Sequence, residues 1–340
     1  MVMSASAHSD HVPECLEKTV SKSTSPFSRV VACVDASEFT KRVVSHAMIV
    51  AKALNIPLTL FRVLEVGNAG KHPHDPVEWD MRRHEARREM AGLARKCADD
   101  GDKIDVQVVE GRAAEQISLR SHDHRPTVTV LCTHGESGPG TRGIGVTARQ
   151  VIEAATGTVL LVPASALPQT SSYRRVMVPV DGSCRAESVL PLAMRIAQAG
   201  GELILAHVVP TPELTQIGPL ASEDVRLREQ LADRNERVVR SYLDHLKLQL
   251  AGRGISVRII VKRGDVRDVL PVLAKEADLV VLSAQGYAGR AGAPYGTVTS
   301  HLMDHTSKPL LIVQRLEALP PVQGQDYRGI RVRRPNRAAH

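Results

Sequence analysis

The chain has 340 residues, 43% hydrophobic and 24% charged, with a formal charge of +7. That length points to two domains rather than one core, and the ordinary composition excludes collagen-like, wholly disordered and membrane-embedded classes. With 1 Trp, 5 Tyr and 3 Phe there is little for bases to stack on, and five of the seven net charges are Arg328, Arg331, Arg333, Arg334 and Arg337, beyond the last acidic residue, Asp326; the body of the chain thus lacks the cationic excess that a nucleic-acid backbone or an anionic membrane requires.

Residues 1–26 are polar and read as a flexible leader with no signal-peptide core. Short aliphatic runs then alternate with helical periodicity, the pattern of βαβ units whose strands are covered on both faces. Strands are predicted near Val30–Val34, Leu58–Val63, Ile104–Val109, Thr127–Cys132 and Val159–Val162, and again at Arg175–Val180, Glu202–Val209, Val257–Val261, Leu279–Ser283 and Leu310–Val313. In the long helix before the eighth strand, Leu227, Leu231, Val238, Tyr242, Leu246 and Leu250 mark the buried face. The expected fold is α/β: two tandem doubly wound, Rossmann-like sheets of five parallel strands each, order 3-2-1-4-5. The expected organisation is a first domain over residues 27–165, a linker over 166–172, a second domain over 173–316, and a basic disordered tail over 317–340. Cys15, Cys33, Cys97, Cys132 and Cys184 are odd in number and hold no C-x-x-C spacing, which fits reduced thiols and a cytoplasmic location.

The chain repeats itself, and the repeated residues lie where doubly wound sheets bind ligands, beyond the C-terminal ends of strands one and four. Arg29-Val-Val-Ala-Cys-Val-Asp35-Ala-Ser37 recurs as Arg175-Val-Met-Val-Pro-Val-Asp181-Gly-Ser183. Val130-Leu-Cys132-Thr-His-Gly135, with Gly145, recurs as Val281-Leu-Ser283-Ala-Gln-Gly286, with Gly296. Glycines let main-chain amides approach an anion, and the following helix N-terminus adds free donors. No Gly-Lys-Ser/Thr P-loop is present, and no Gly-x-Gly-x-x-Gly follows the first strand of either half. Rapid ATP hydrolysis and dinucleotide-dependent redox chemistry are therefore not indicated.

From Arg29 to Gln314 the chain resembles a tandem universal stress protein. The nucleotide-binding members of that family carry G-x2-G-x9-G-(S/T) after the fourth strand and an Asp after the first. Here the second half reads Ser283-x2-Gly286-x9-Gly296-Thr297 with Asp181, so only the leading glycine is altered. The resemblance implies ATP as ligand, with or without Mg²⁺. Asp181 would then lie by the ribose and adenine, with Pro179 and Val180 near the ring and Val208 offering backbone contacts to adenine. Gly286, Gly289, Gly296, Thr297 and Val298 would hold the phosphates, with Ser283 adding a hydroxyl. The matching first-half positions are Asp35, Val63, Gly135 and Gly145, but Cys33 replaces the proline, Cys132 the leading glycine and Val146 the hydroxyl. A weaker or empty first site is expected, with Thr147, Gly138, Gly140 and Gly143 as partial compensation. The resemblance also implies pairing through the last strand, so the expected assembly is a pseudo-dimer of the two halves within one chain or a homo-oligomer; an unidentified protein partner is expected as well.

Simpler readings stand beside these. Asp35 and Asp181 serve equally well as helix caps with Ser37 and Ser183, and the glycine loops as plain turns. His72, His74, His122 and His124 lack a third converging ligand and read as solvated loops, while His134 and His207 read as loop or core residues. Cys33 and Cys132 lie near the ends of adjacent strands, where their thiols would approach each other. Trp79 and the run Arg82–Lys96 read as a helix with a solvated face. The leading expectation is an ATP-binding regulator of stress response with little or no catalysis. The alternatives are a slow ATPase or ATP-using enzyme, and a nucleotide-free interaction module.

Overall fold

The computed structural model describes residues 25–65, 75–98, 104–121, 126–135, 143–154, 157–169, 172–198, 200–211, 222–252, 254–286 and 294–314. In chain order the elements are β1 (Arg29–Cys33), α1 (Thr40–Leu54), β2 (Leu58–Leu64), α2 (Pro76–Cys97), β3 (Ile104–Glu110), α3 (Ala113–Ser121), β4 (Thr127–Cys132), α4 (Val146–Ala154) and β5 (Thr158–Val162). The second half continues with β6 (Arg175–Pro179), α5 (Cys184–Glu187), α6 (Leu190–Ala197), β7 (Glu202–Val209), α7 (Ser222–Leu250), β8 (Ser256–Arg263), α8 (Val266–Ala274), β9 (Leu279–Ser283), α9 (Thr297–His305) and β10 (Leu310–Val313).

Both halves have the expected strand order. They join into one ten-stranded sheet, β3-β2-β1-β4-β5-β10-β9-β6-β7-β8. All pairings within each half are parallel, and the one across the centre is antiparallel, with Leu310 opposite Leu161, Leu311 opposite Leu160 and Ile312 opposite Val159. Each last strand thereby covers an edge that would otherwise expose its backbone groups.

Successive strand residues face opposite sides, so the sheet separates two cores. On one side α1, α2, α6 and α7 pack around Val30, Ala32, Val176 and Val178. On the other, α3, α4, α8 and α9 pack around Val31, Leu131, Met177 and Val280. This alternation corrects the expectation for the thiols: Cys33 packs with the second core and Cys132 with the first, so they lie on opposite faces of the sheet.

The stripe expected along α7 is also only partly buried. Leu243, Leu246 and Leu250 are enclosed, whereas Leu227 and Val238 stand 48% and 46% exposed. The helix has 29 residues, about 43 Å at 1.5 Å per residue, and overshoots a sheet of eight-residue strands. Among the described residues its N-terminal turns bury only Ala232, so periodicity there reports amphipathicity more than burial.

The segment joining the halves is tied down. Tyr173 and Ala166 are buried, the Tyr173 hydroxyl is 2.6 Å from His46 Nδ1 on α1, and His46 Nε2 is 3.2 Å from Leu167 O. Burial holds the His46 imidazole well below its usual range, at about 4. Among the described residues no helix is long and apolar enough to cross a membrane. Cys15, the leader up to residue 24, the tail from 315 onward, His72, His74, His122, His124, Gly138, Gly140 and Gly289 lie outside the described residues.

Candidate functional site

At the C-terminal ends of strands one and four each half builds the same closure. The Asp after the first strand turns the chain by accepting the amide two residues on: Ser37 N–H to Asp35 Oδ1 and Ser183 N–H to Asp181 Oδ1, both 3.0 Å. Neither carboxylate caps a helix. Ser183 caps α5 by accepting the Ala186 amide, and α1 starts at Thr40 with no side-chain cap. The second oxygen lies against the glycine after strand four, so a Cβ on Gly286 would stand 2.5 Å from Asp181 Oδ2, and one on Gly135 2.8 Å from Asp35 Oδ2. Glycine is needed here for close approach rather than for an unusual φ.

The far end of each glycine-rich stretch is pinned back to its strand. Gly145 N–H donates to Thr133 O and Gly296 N–H to Ala284 O, each at 2.7 Å. Those two amides are internally bonded, which leaves a phosphate the first-turn amides of α4 and α9. Gly296 occupies the N-cap of α9 with no side-chain hydrogen bond, and Thr297 is the first helical residue and exposed. In the second half Asp181, Gly286 and Gly296 form a contiguous row, because the Cβ position of Gly296 lies 3.7 Å from the Gly286 amide.

The strand-two positions match as well. The first ladder of each half ends with Val34 N–H on Phe61 O and Val180 N–H on Ala206 O, both 2.9 Å, two residues short of Val63 and Val208. Val180 has both backbone groups engaged, its carbonyl lying 2.7 Å from His207 Nδ1. Burial lowers the His207 pKa, and the imidazole braces strand ends. Pro179 closes β6 and Val298 follows Thr297 in the first turn of α9. Ser283 Oγ donates to Gln285 O at 3.0 Å, so its hydroxyl serves the loop itself.

The halves differ in the space beside this closure. In the N-terminal half, expected to be the weaker site, a crevice of about 860 Å³ opens between the strand ends and α2. Asp35, Val63, Gly135 and Gly145 line it, together with Phe61, Arg62, Trp79, Arg82, Ile117 and His134, which the sequence did not assign to a site. The contact of Asp35 with Gly135 is thus part of a wall and does not shut the crevice. Cys33 and Cys132 also line it, but burial pushes the Cys33 thiol up to about 12 and raises that of Cys132. Neither is a thiolate nucleophile near neutral pH. A shallower depression of about 580 Å³ opens between the α9 N-terminus and α4 of the other half, bounded by Glu153, Tyr295, Gly296, Thr297 and Ser300, and Asp181 and Gly286 are not among its lining residues. On the other face of the sheet Tyr242 of α7 donates to Glu187 Oε1 at 2.7 Å.

Paired doubly wound sheets, each with an Asp-and-glycine closure over its strand ends, define a tandem α/β protein. The universal stress protein family model matches residues 26–163 and 172–314. A universal stress protein of Mycolicibacterium smegmatis is 23% identical over 297 residues, covering 84% of this chain and 96% of the relative. Among solved structures, a universal stress protein from Archaeoglobus fulgidus superposes with a TM-score of 0.55 at 18% identity, covering 86% of this chain and 99% of that one. A second, described as a putative universal stress protein from Pseudomonas aeruginosa, gives 0.57 at 12% identity over 85% and 93% of the two chains. The chain belongs to the universal stress protein family.

Proposed function

We propose that the protein is a stress-response regulator of the cytoplasm that binds ATP in its C-terminal half and performs little or no catalysis. The observation that supports this reading most directly is the row Asp181, Gly286, Gly296, ending on the uncapped N-terminus of α9 with Thr297 at its first position. Free amides and a positive dipole end suit phosphate oxygens, and the Thr297 hydroxyl adds a donor. Asp181 and the strand-end backbone near Val208 suit a ribose and a heterocycle, with Pro179 and Val180 beside the ring and Val298 adding an amide. Among the described residues no group of three His, Cys, Asp or Glu could hold a metal ion, so magnesium would enter on the phosphates. ATP would then act by binding one conformation better than another.

Calorimetric titration with ATP tests the assignment. Alanine at position 296 meets nothing closer than 3.7 Å, so Gly296→Ala keeps the fold and places a methyl group where phosphate would lie. It is expected to weaken ATP by about tenfold or more, and Thr297→Val by roughly tenfold. Gly145→Ala, in the other half, should leave the affinity within about twofold. The reverse ordering would overturn the assignment.

A further inference from the structure

The N-terminal crevice has the dimensions of a ligand site, since about 860 Å³ lies within the range of roughly 300–1,000 Å³ that such pockets occupy. Its chemistry, however, is unlike that wanted by a polyphosphate. Among the described residues its lining carries four carboxylates, Asp35, Glu65, Glu85 and Glu89, against two guanidiniums, Arg62 and Arg82. Both guanidiniums are engaged, Arg62 with Glu89 at 2.6 Å and Arg82 with Glu78 at 2.8 Å. Carboxylates thus outnumber guanidiniums in the described lining, and an excess of negative charge in a cleft disfavours a polyanion. At the start of α4 the hydroxyl is missing too: Val146, 74% exposed, stands where the other half has Thr297.

What the crevice does offer is an apolar wall and an unmet polar atom. Phe61, Val63, Ile117 and Leu131 supply the wall. His134 Nδ1 lies 3.0 Å from Thr133 Oγ1, but His134 Nε2 is buried and has no hydrogen-bond partner among the described residues. A buried polar atom without a partner carries a desolvation cost that a ligand group arriving beside it would remove.

We infer that the N-terminal crevice is a second binding site, for an uncharged or cationic, phosphate-free molecule of nucleoside size that stacks its ring on the apolar wall and hydrogen-bonds His134 Nε2 and Asp35. This site discriminates against nucleotides by the charge of its lining, and it holds whether or not ATP occupies the other half.

The single tryptophan of the chain, Trp79, lines this crevice, so its emission reports on the N-terminal site and calorimetry on the whole protein. With adenosine and ATP as probes of the full chain, adenosine is expected to shift Trp79 emission at a concentration about tenfold or more below any effect of ATP. ATP binding in the other half would give heat while Trp79 stays silent, so failure of either site is seen separately. Glu85→Lys, at an exposed position, should narrow the adenosine-to-ATP ratio several-fold, and His134→Phe should abolish the adenosine response. Circular dichroism checks each fold, and Glu85→Lys carries the test should His134→Phe not fold. A Trp79 response to ATP equal to or stronger than that to adenosine, no response to adenosine, or a ratio unmoved by Glu85→Lys would overturn the proposal.

Discussion

Glycine at position 286 lets the chain pass close to the residue opposite it. A methyl group there would meet Asp181 Oδ2 at 2.5 Å, but that atom is the tip of a side chain on an exposed residue and can swing aside. Gly286→Ala is therefore expected to change unfolding free energy in urea by less than about 1 kcal/mol while lowering ATP affinity about tenfold. Gly201 is the opposite case, because its Cβ would press on the backbone carbonyl of Ala197 and stand 3.2 Å from that of Arg174. Gly201→Ala should cost about 1–3 kcal/mol by the same urea measurement and leave ligand affinity alone. Residues such as Asp35, Asp181, Gly135 and Gly286 were legible in the sequence because the repeat displays each twice. Phe61, Arg62, Trp79 and Ile117 were not, since β2, α2 and α3 bring them to the crevice from separate stretches and no spacing links them. Trp79, read as part of a solvated helix, is half-buried against the crevice.

Strands were legible almost to the residue because buried parallel strands are near-continuous aliphatic runs, as Leu279–Ser283 and Leu310–Val313 are. Helix α7 was legible in existence but not in which turns it buries, since burial depends on where the sheet beneath it stops. The junction between α1 and the linking segment could not be read at all: His46 and Tyr173 meet only after the chain has folded across both halves. That contact has a pH signature. In the fold His46 takes a proton only near pH 4, against about 6.5 when unfolded. Between those values the unfolded chain binds more protons, so stability falls as pH drops from about 6.5 to 4 and is flat above. The shift corresponds to about 3 kcal/mol. Urea unfolding of the wild type should show this decline, and His46→Gln should flatten most of it. His207, also lowered by burial, leaves a residual slope of the same sign.

At the scale of the molecule, the two halves share both a sheet and a core. The first core draws Leu54 and Val130 from one half and Ile196 and Val281 from the other, and β5 and β10 complete each other's edges. Smaller ties cross the same seam: Gln314 Nε2 donates to Ile152 O at 3.1 Å, and Arg149 on α4 lies 3.6 Å from Asp304 on α9. The exposed ion pair contributes little, so the seam rests on its apolar strands. Leu160 and Leu311 face each other there, and each is 0% exposed. An aspartate at either position would bury a carboxylate in an apolar core, at a cost of several kcal/mol. The wild type is therefore expected to melt in a single calorimetric transition. Leu311→Asp should lower that transition steeply or split it in two, with a larger radius of gyration in solution scattering as the halves separate. Leu119→Asp, a control at a position 67% exposed, should shift the midpoint by no more than a degree or two. A Leu311→Asp protein that melts and scatters like the wild type would mean that the central strand pair does not hold the halves together.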